Sequence, residues 1–392
     1  MACAHSDEQR QVEEASGRLQ GTRLIQPLQR LLKQIHSAGA ERDRAGNRKF
    51  FCDHYISLLL LYFFNPSLNS LRALQNSSNW EQVQRKLGIP RVSLGSLSES
   101  AGVFDAALIR PVFKELAQLA GSHLRGREAQ ALEHLIAVDG TFFNALPRMA
   151  WALWEDAEHR GVKMHLQFSV AKWVPLDATI TPAACSEPAA MKAMLEPGKL
   201  YVNDRGYANF GLMRAVLDAG SSLITRVKDD ISLNVQEERP ITPEAAQAGV
   251  VRDVILSRLG TSHHKNVVGR PMRLVIVRGE DRNGKASELW LITDRFDLDA
   301  DLVAIAYRYR WMIELFFRWL KCVLGARHLL SNQQNGVALQ MYAALIVSLL
   351  IAIRTESKPT KRTFETIQFY LLGWVSDQEF AAHLAKLKKS SN

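Results

Sequence analysis

Tyr307-Arg308-Tyr309-Arg310-Trp311-Met312-Ile313-Glu314-Leu315-Phe316-Phe317-Arg318-Trp319-Leu320-Lys321 is the stretch on which the reading of this chain turns. Tyr307, Arg310, Glu314 and Lys321 are separated by steps of 3, 4 and 7 residues. At about 100° per residue, these four fall within roughly 60° of one another on an α-helix. Ile305, Met312, Ile313, Phe316 and Leu320 gather on the opposite side, which gives one buried face and one polar line. The line sets a single carboxylate between permanent positive charges and a phenol, over about 21 Å of helix. A carboxylate can hold a hard divalent cation, while Arg and Lys beside it can grip phosphate oxygens. For an arbitrary helix, a solvated charged face is the commoner explanation. Two aspartates elsewhere reverse that preference.

The first is Asp139, in His134-Leu135-Ile136-Ala137-Val138-Asp139-Gly140-Thr141-Phe142-Phe143. Short apolar runs rich in β-branched and aromatic residues flank it, as in a buried strand interrupted by an acid. An unpaired charge in such a place is expensive, so it needs a cation or a strong donor. The second is Asp204, in Leu200-Tyr201-Val202-Asn203-Asp204-Arg205-Gly206-Tyr207, where a short strand stops and Gly206 permits a tight turn. Either aspartate alone is more often a turn former or a helix cap. Together with Glu314 they form three carboxylates that can seat a pair of Mg²⁺ ions for phosphoryl transfer.

In this order, Asp139, Asp204 and Glu314 resemble the Asp-Asp-Glu triad of bacterial insertion-sequence transposases. The Tyr-x2-Arg-x3-Glu-x6-Lys spacing is similar to the hallmark of the IS4 family. Asp-Gly-Thr at 139–141, Asp-Arg-Gly-Tyr at 204–207, Thr225-Arg226-Val227-Lys228 and Leu291-Ile292-Thr293-Asp294 supply matching context. So does the stretch from Gly325-Ala326-Arg327-His328 to Asn335-Gly336-Val337. The resemblance spans roughly residues 45 to 355.

The resemblance implies a DNA transposase that cleaves element ends and transfers strands by two-metal chemistry. The implied fold is an α/β RNase H-like catalytic core with a β-rich insertion domain, preceded by an all-α N-terminal domain. Asp139, Asp204 and Glu314 would be both the catalytic residues and the metal ligands, with two Mg²⁺ ions and Mn²⁺ as a substitute. Arg310 would contact phosphates at the transposon end, Lys321 would act as a point charge, and Tyr307 would touch the DNA end. Arg226 and Lys228 would hold phosphates or neutralise the acids, and Arg318 would assist or form a surface ion pair. Hairpin-forming relatives trap a flipped base against a Trp on the strand before the motif helix, which makes Trp290 the candidate here. The implied partners are double-stranded DNA (the element's terminal inverted repeats and target DNA) and a second copy of the chain in a homodimer on paired ends.

Composition agrees. The 392 residues suffice for two or three domains, and Lys+Arg exceed Asp+Glu, 49 to 40, for a net charge of +9 that suits a polyanion. Cys3, Cys52, Cys185 and Cys322 lie at least 49 residues apart with no Cys-x-x-Cys pair. That argues for isolated thiols in a reducing, cytoplasmic setting, nucleoid-associated for a bacterial DNA enzyme, and against a zinc site. His263-His264 looks like a metal pair, but adjacent strand residues point apart, so both are read as loop residues. Charges throughout 7–23 exclude a signal peptide. The apolar runs 55–64 and 342–353 are too short to span a membrane and are expected to be buried helices.

The expected domains are a polar arm (1–44), a helical DNA-binding domain (45–130), a catalytic core (131–228 and 294–355), an insertion (229–293) and a basic helical tail (356–392). Within the second, 81–99 has the layout of a helix-turn-helix that would offer Arg91, Ser93 and Ser96 to a groove, although a structural helix pair reads equally well. Trp80 and Leu87 are expected in its core. Strands are expected at 135–143, 165–170, 174–180, 200–203 and 223–227, with helices at 187–195 and 210–218. Further strands fall at 250–259, 272–278 and 288–293. One continuous motif helix is expected over 300–324, and a core helix over 337–354. Two other readings remain: an RNase H-like nuclease that cuts without joining, and a DNA-binding regulator that has lost the chemistry.

Overall fold

A computed structural model describes residues 32–33, 35–36, 47–146, 148–152, 161–231, 233–260, 268–280 and 286–390. The expected N-terminal arm lies almost wholly outside the described residues, as do His263 and His264. The first elements are α1 (Cys52–Phe64), α2 (Leu71–Ser77), α3 (Glu81–Leu87), α4 (Leu94–Val103), α5 (Ile109–Gln118) and α6 (Gly126–Leu132). Then come β1 (Leu135–Asn144), β2 (Gly161–Ser169), β3 (Val174–Pro182), α7 (Glu187–Lys192), β4 (Leu200–Asn203), α8 (Phe210–Asp218) and β5 (Ser222–Val227). β6 (Asn234–Glu238), α9 (Pro243–Gln247), β7 (Val250–Arg258), β8 (Met272–Glu280) and β9 (Ala286–Thr293) follow. The chain continues through α10 (Ala300–Tyr309), α11 (Trp311–Cys322), α12 (Gln334–Thr355), α13 (Lys361–Leu371) and α14 (Asp377–Ser390). It divides into two compact units, Met1–Gly121 with Arg318–Asn392, and Ser122–Phe317.

The first unit is helical, and its axis is α12. By length and composition this 22-residue helix could cross a membrane, but nearly all of its apolar window is buried inside the protein. It packs on α1, α4 and α5, with Phe113 and Tyr342 rings 5.9 Å apart. Asn335 pins its start: Nδ2 donates to the carbonyls of Ala101 and Phe104, and Oδ1 accepts from Ala106 N at 2.9 Å. Gln340 fixes the preceding loop, accepting from Leu330 N at 2.8 Å and donating to His328 O at 2.7 Å. These bonds give the 325–337 stretch a packing role. His36 and His54 both face the Asp53 carboxylate, at 3.1 and 3.6 Å. Phe51 N–H donates to His54 Nδ1, which leaves that ring's Nε2 on the side of Asp53.

The helix pair read at 81–99 is present as α3 and α4. Gly88 ends α3 in the left-handed region, at φ 64°, and Ser93 Oγ caps α4 by accepting from Ser96 N at 3.1 Å. Arg91, Ser93 and Ser96 are exposed. Trp80 is not a core residue: it is 59% exposed and Leu87 only half-buried, because Leu74, Ile89, Val92 and Leu97 already fill the space between the helices.

The second unit is built on one nine-stranded mixed sheet in the order β3-β2-β1-β4-β5-β9-β8-β7-β6. β1, β4 and β5 run parallel, and the other neighbours pair antiparallel. Residues 229–293 supply β6 to β9, which continue this sheet from the edge of β5. Ile136, Val138, Tyr201, Met213, Leu223, Leu274 and Ile292 belong to one buried apolar cluster that spans both parts of the sheet. Arg273, 1% exposed, clasps Asp253 through Nε (2.8 Å) and Nη2 (2.7 Å), and its Nη1 donates to the carbonyls of Arg295 and Leu298. β7 and β8 thereby fix the loop that leads into α10. Arg127 pairs with Asp299 and Asp301 near the start of α10, and Tyr309 donates to Glu128 at its end, so α10 is tied to α6 at both ends.

The expected single helix over 300–324 is two helices. The break falls at Arg310, whose N–H bonds back three residues to Tyr307 O at 3.2 Å, as does Ile313 N to Arg310 O. Such tight turns interrupt the α ladder and redirect the chain.

Candidate active site

Asp139 lies in β1 and Asp204 directly follows β4, its parallel neighbour. The strands pair Ala137 with Val202, so two residues further on the two acids stand level with each other. The ends of parallel strands in an α/β sheet are where sites assemble, because the backbone there turns away and leaves a crevice. Each acid is braced locally. Asp139 Oδ1 accepts from Gly140 N at 2.7 Å, and Asp204 Oδ1 accepts from Gly206 N at 2.8 Å.

Glu314, in the first turn of α11, is brought to the same place through Arg310. Arg310 Nη2 lies 2.6 Å from Glu314 Oε1, and its Nη1 lies 3.8 Å from Asp139 Oδ2. The three carboxylates feel one another. Burial raises the Asp139 carboxyl to about 7, the Asp204 and Glu314 charges add to the rise, and Gly140 N–H and Arg310 oppose it. A group held near neutrality in this way marks a functional-site candidate with a physical cause.

The other sequence candidates are placed as follows. Tyr307 is buried, with its ring 5.7 Å beneath the Arg310 guanidinium, so its face is turned to that side chain. Arg310 is itself only 12% exposed and is engaged by the acids. Lys321 is half-buried seven residues past Glu314 on α11. Arg318 points to solvent on a stripe with Trp311 (50% exposed) and Leu315. Thr225 pairs with Asn203, which sets Arg226 on β5 level with Asp204, and Lys228 is exposed just beyond the strand. Trp290, on β9 beside Val227, packs against the apolar cluster and donates to Glu288 Oε2 at 3.2 Å. Asp294 of the Leu-Ile-Thr-Asp stretch accepts from Leu223 N at 2.9 Å and so serves the sheet.

Four residues beside the acids escaped the sequence reading. Lys163 and His165 on β2 are buried, Glu187 opens α7, and the Tyr207 hydroxyl is buried without a partner. Burial, and then the charges of Glu187, Asp139 and Asp204, hold the Tyr207 phenol well above its ordinary value. Lys163 and His165 alternate with apolar residues along a strand buried throughout, the one sequence signal that could have flagged them.

The mixed sheet, the level pair of aspartates and the helix-borne glutamate are the features to set beside known proteins. Residues 130–350 match the transposase DDE domain family. A putative transposase, y4zB, of Sinorhizobium fredii is 31% identical over 255 residues, 64% of this chain and 69% of its own. A probable transposase for the insertion sequence element IS5377 of Geobacillus stearothermophilus is 24% identical over 294 residues, 75% of this chain and 74% of its own. A piggyBac transposase synaptic complex with hairpin DNA, solved by cryo-EM, aligns with 85% of this chain and 75% of its own. Its 9% identity and TM-score of 0.38 are too low to define a shared fold. The chain belongs to the DDE transposase family, as an insertion-sequence transposase of the IS4 type.

Proposed function

We propose that Asp139, Asp204 and Glu314 are the catalytic carboxylates of this transposase, set on an RNase H-like core in which β1 to β5 carry the site and 229–293 is an insertion. The observation that carries this reading is the level placement of Asp139 and Asp204 on parallel strands, with Glu314 drawn to Asp139 by Arg310. The donor set fits divalent metal. All its ligand atoms are carboxylate oxygens, which suits Mg²⁺ best and Mn²⁺ as a substitute, and the Asp139 carboxyl, raised by burial and then by the Asp204 and Glu314 charges, is one whose ionised form a cation would favour. When bound, a pair of such ions activates the attacking oxygen and stabilises the leaving oxygen of a phosphodiester.

The chain's own groups do the rest. Arg310, beside two of the acids, is the cation that would offer its guanidinium fork to a DNA phosphate at the site. Lys321 and Arg318 on α11, and Arg226 and Lys228 at the end of β5, present further positive charge to the backbone of double-stranded DNA. Tyr307 supports Arg310 from below. Trp290 would meet a base only by leaving its packed position. Arg91 and Ser96 are exposed, which leaves them open to a groove if α3 and α4 read the terminal inverted repeats. Concerted cutting of two ends calls for a homodimer, acting on DNA in the bacterial cytoplasm.

The test is cleavage of DNA that carries the ends flanking the protein's own reading frame, with Mg²⁺, using the unaltered protein and Glu314→Gln. Boundary cleavage that the variant loses while still binding the ends supports the assignment. Equal cleavage by the variant removes Glu314 from the site.

A further inference from the structure

We propose that Glu187 is a fourth carboxylate of the acidic centre, offering Oε2 to the divalent cation that Asp139 and Asp204 hold. The proposal rests on the reading of that centre as a cation site. Glu187 enters from α7, where Ser186 Oγ caps the helix by accepting from Ala189 N at 3.4 Å. Its Oε1 is taken by Lys163, at 2.5 Å. Lys163 is buried, and its ammonium also sits 4.8 Å over the Phe142 ring, which fixes it on one side of the glutamate. Oε2 faces the other way, toward the loop that carries Asp204.

The two glycines that follow the catalytic aspartates show how close that approach is. A methyl group at Gly206 would lie 2.6 Å from Glu187 Oε2 and 3.1 Å from Asp204 Oδ1. Carboxylate oxygens of Glu187 and Asp204 therefore lie against the same glycine, close enough to each other for one cation to bridge them. At Gly140, next to Asp139, a methyl group would lie 2.7 Å from Lys163 Cε, 3.3 Å from Glu187 Oε1 and 3.7 Å from His165 Nδ1. The Lys163–Glu187 pair thus packs against the backbones that bear both acids, Lys163 foremost at Gly140 and Glu187 at Gly206.

Buried polar atoms without partners mark the same place. The Tyr207 hydroxyl, 1% exposed, lies within the fields of Glu187, Asp139 and Asp204 and has no hydrogen bond. His165 Nδ1, also 1% exposed, has none either. Orphaned buried groups are rare and point to an ion or its water. Charge agrees, since four carboxylates gather there and, among the described residues, the ion pairs of Asp139, Glu187 and Glu314 are with Lys163 and Arg310. A glutamate present only to neutralise Lys163 would not need its second oxygen turned to the Asp204 loop at Gly206.

Mn²⁺ titration of the full-length protein, without DNA, followed by calorimetry or by the spin-resonance signal of free Mn²⁺, separates these roles. The set is the unaltered protein, Glu187→Gln, the double variant Lys163→Met with Glu187→Gln, and Asp204→Asn, each checked by circular dichroism. The double variant removes the buried lysine charge along with the glutamate, so the fold is not left with an unpaired ammonium. Glu187→Gln and the double variant should both weaken Mn²⁺ at least about tenfold, the effect expected for loss of a supporting ligand. If the double variant binds Mn²⁺ as the unaltered protein does, Glu187 is only the partner of Lys163 and the proposal is overturned. Unchanged binding by Asp204→Asn, or no Mn²⁺ binding by the unaltered protein at millimolar levels, overturns the cation site itself and Glu187's part with it.

Discussion

Arg310 holds Glu314 across one turn, with Nη2 2.6 Å from Oε1, and it does so from the break between α10 and α11. Arg310 keeps helical dihedrals and the face it shares with Glu314. Its guanidinium reaches Asp139 as well, at 3.8 Å. One arginine therefore spans a strand-borne and a helix-borne carboxylate.

Removing that guanidinium should impair catalysis more than binding. Arg310→Ala is expected to slow end cleavage by at least about 100-fold, the usual loss for one preorganised electrostatic donor. Arg310→Lys keeps the charge but not the fork, and should fall between the two. Single-turnover cleavage with saturating DNA is the measurement. Wild-type rates for Arg310→Ala would remove the residue from the reaction.

Asp139 gives a pH signature in the absence of metal. Burial lifts its carboxyl to about 7 in the folded protein, from the ordinary 3.8 of the unfolded chain. Between those values the folded state keeps a proton that the unfolded state has released, so this group's contribution to stability falls as pH rises, and is fully lost above about 7. Asp139→Asn, neutral at every pH, should raise the melting temperature in chelator at pH 8 by at least about 2 °C, and change it little at pH 4. A gain that is larger at pH 4 than at pH 8 would contradict the assigned shift.

The Arg273–Asp253 clasp supports the site from a distance. Both side chains are almost fully buried, at 1% and 3% exposure, and Arg273 also holds the carbonyls before α10. Arg273→Ala leaves Asp253 charged and buried, and should destabilise by roughly 3–5 kcal/mol in urea denaturation. Replacing both with apolar residues of similar volume should recover most of that loss. If the single substitution costs less than about 1 kcal/mol, the clasp does not hold the loop.

The chemistry of this chain was written most legibly where residue type and register coincide. An acid inside an apolar strand run at 139, another directly after a strand at 204, and the 3-4-7 spacing around Glu314 singled out the three carboxylates proposed as catalytic, because few folds tolerate such charges without a purpose. The element order from β1 to β5 followed from period and turn residues. What was hidden depends on contacts between distant segments. The continuation of the sheet through β9 is fixed by its pairing with β5, and no local pattern encodes it. Glu187 looked like an ordinary helix start because its partners, Lys163, Gly140 and Gly206, are brought to it only by the sheet. Tyr307 and Arg310 carried the expected spacing, yet Tyr307 is buried and Arg310 is 12% exposed, because both pack in toward the acids, which the spacing alone does not encode.

Glycine gives the last prediction, because two helical glycines of the first unit should respond with opposite sign. Gly336 lies in the first turn of α12, where an added methyl would stand 2.7 Å from both Ala101 Cβ and Ser331 Cβ. α12 is fastened there to the end of α4 by Asn335, so the neighbours have little freedom to retreat. Gly336→Ala should therefore destabilise by about 1–3 kcal/mol through overpacking, despite alanine's better helix propensity. Gly95, in the first turn of α4, would place its methyl in open space, with Ser93 Oγ the nearest atom at 3.9 Å. Gly95→Ala should stabilise by about 0.5 kcal/mol, because only the unfolded chain loses freedom. Urea denaturation of the two variants side by side checks the pair, and a stabilising Gly336→Ala would mean that α12 does not pack against α4 as closely as Asn335 and Ala101 require.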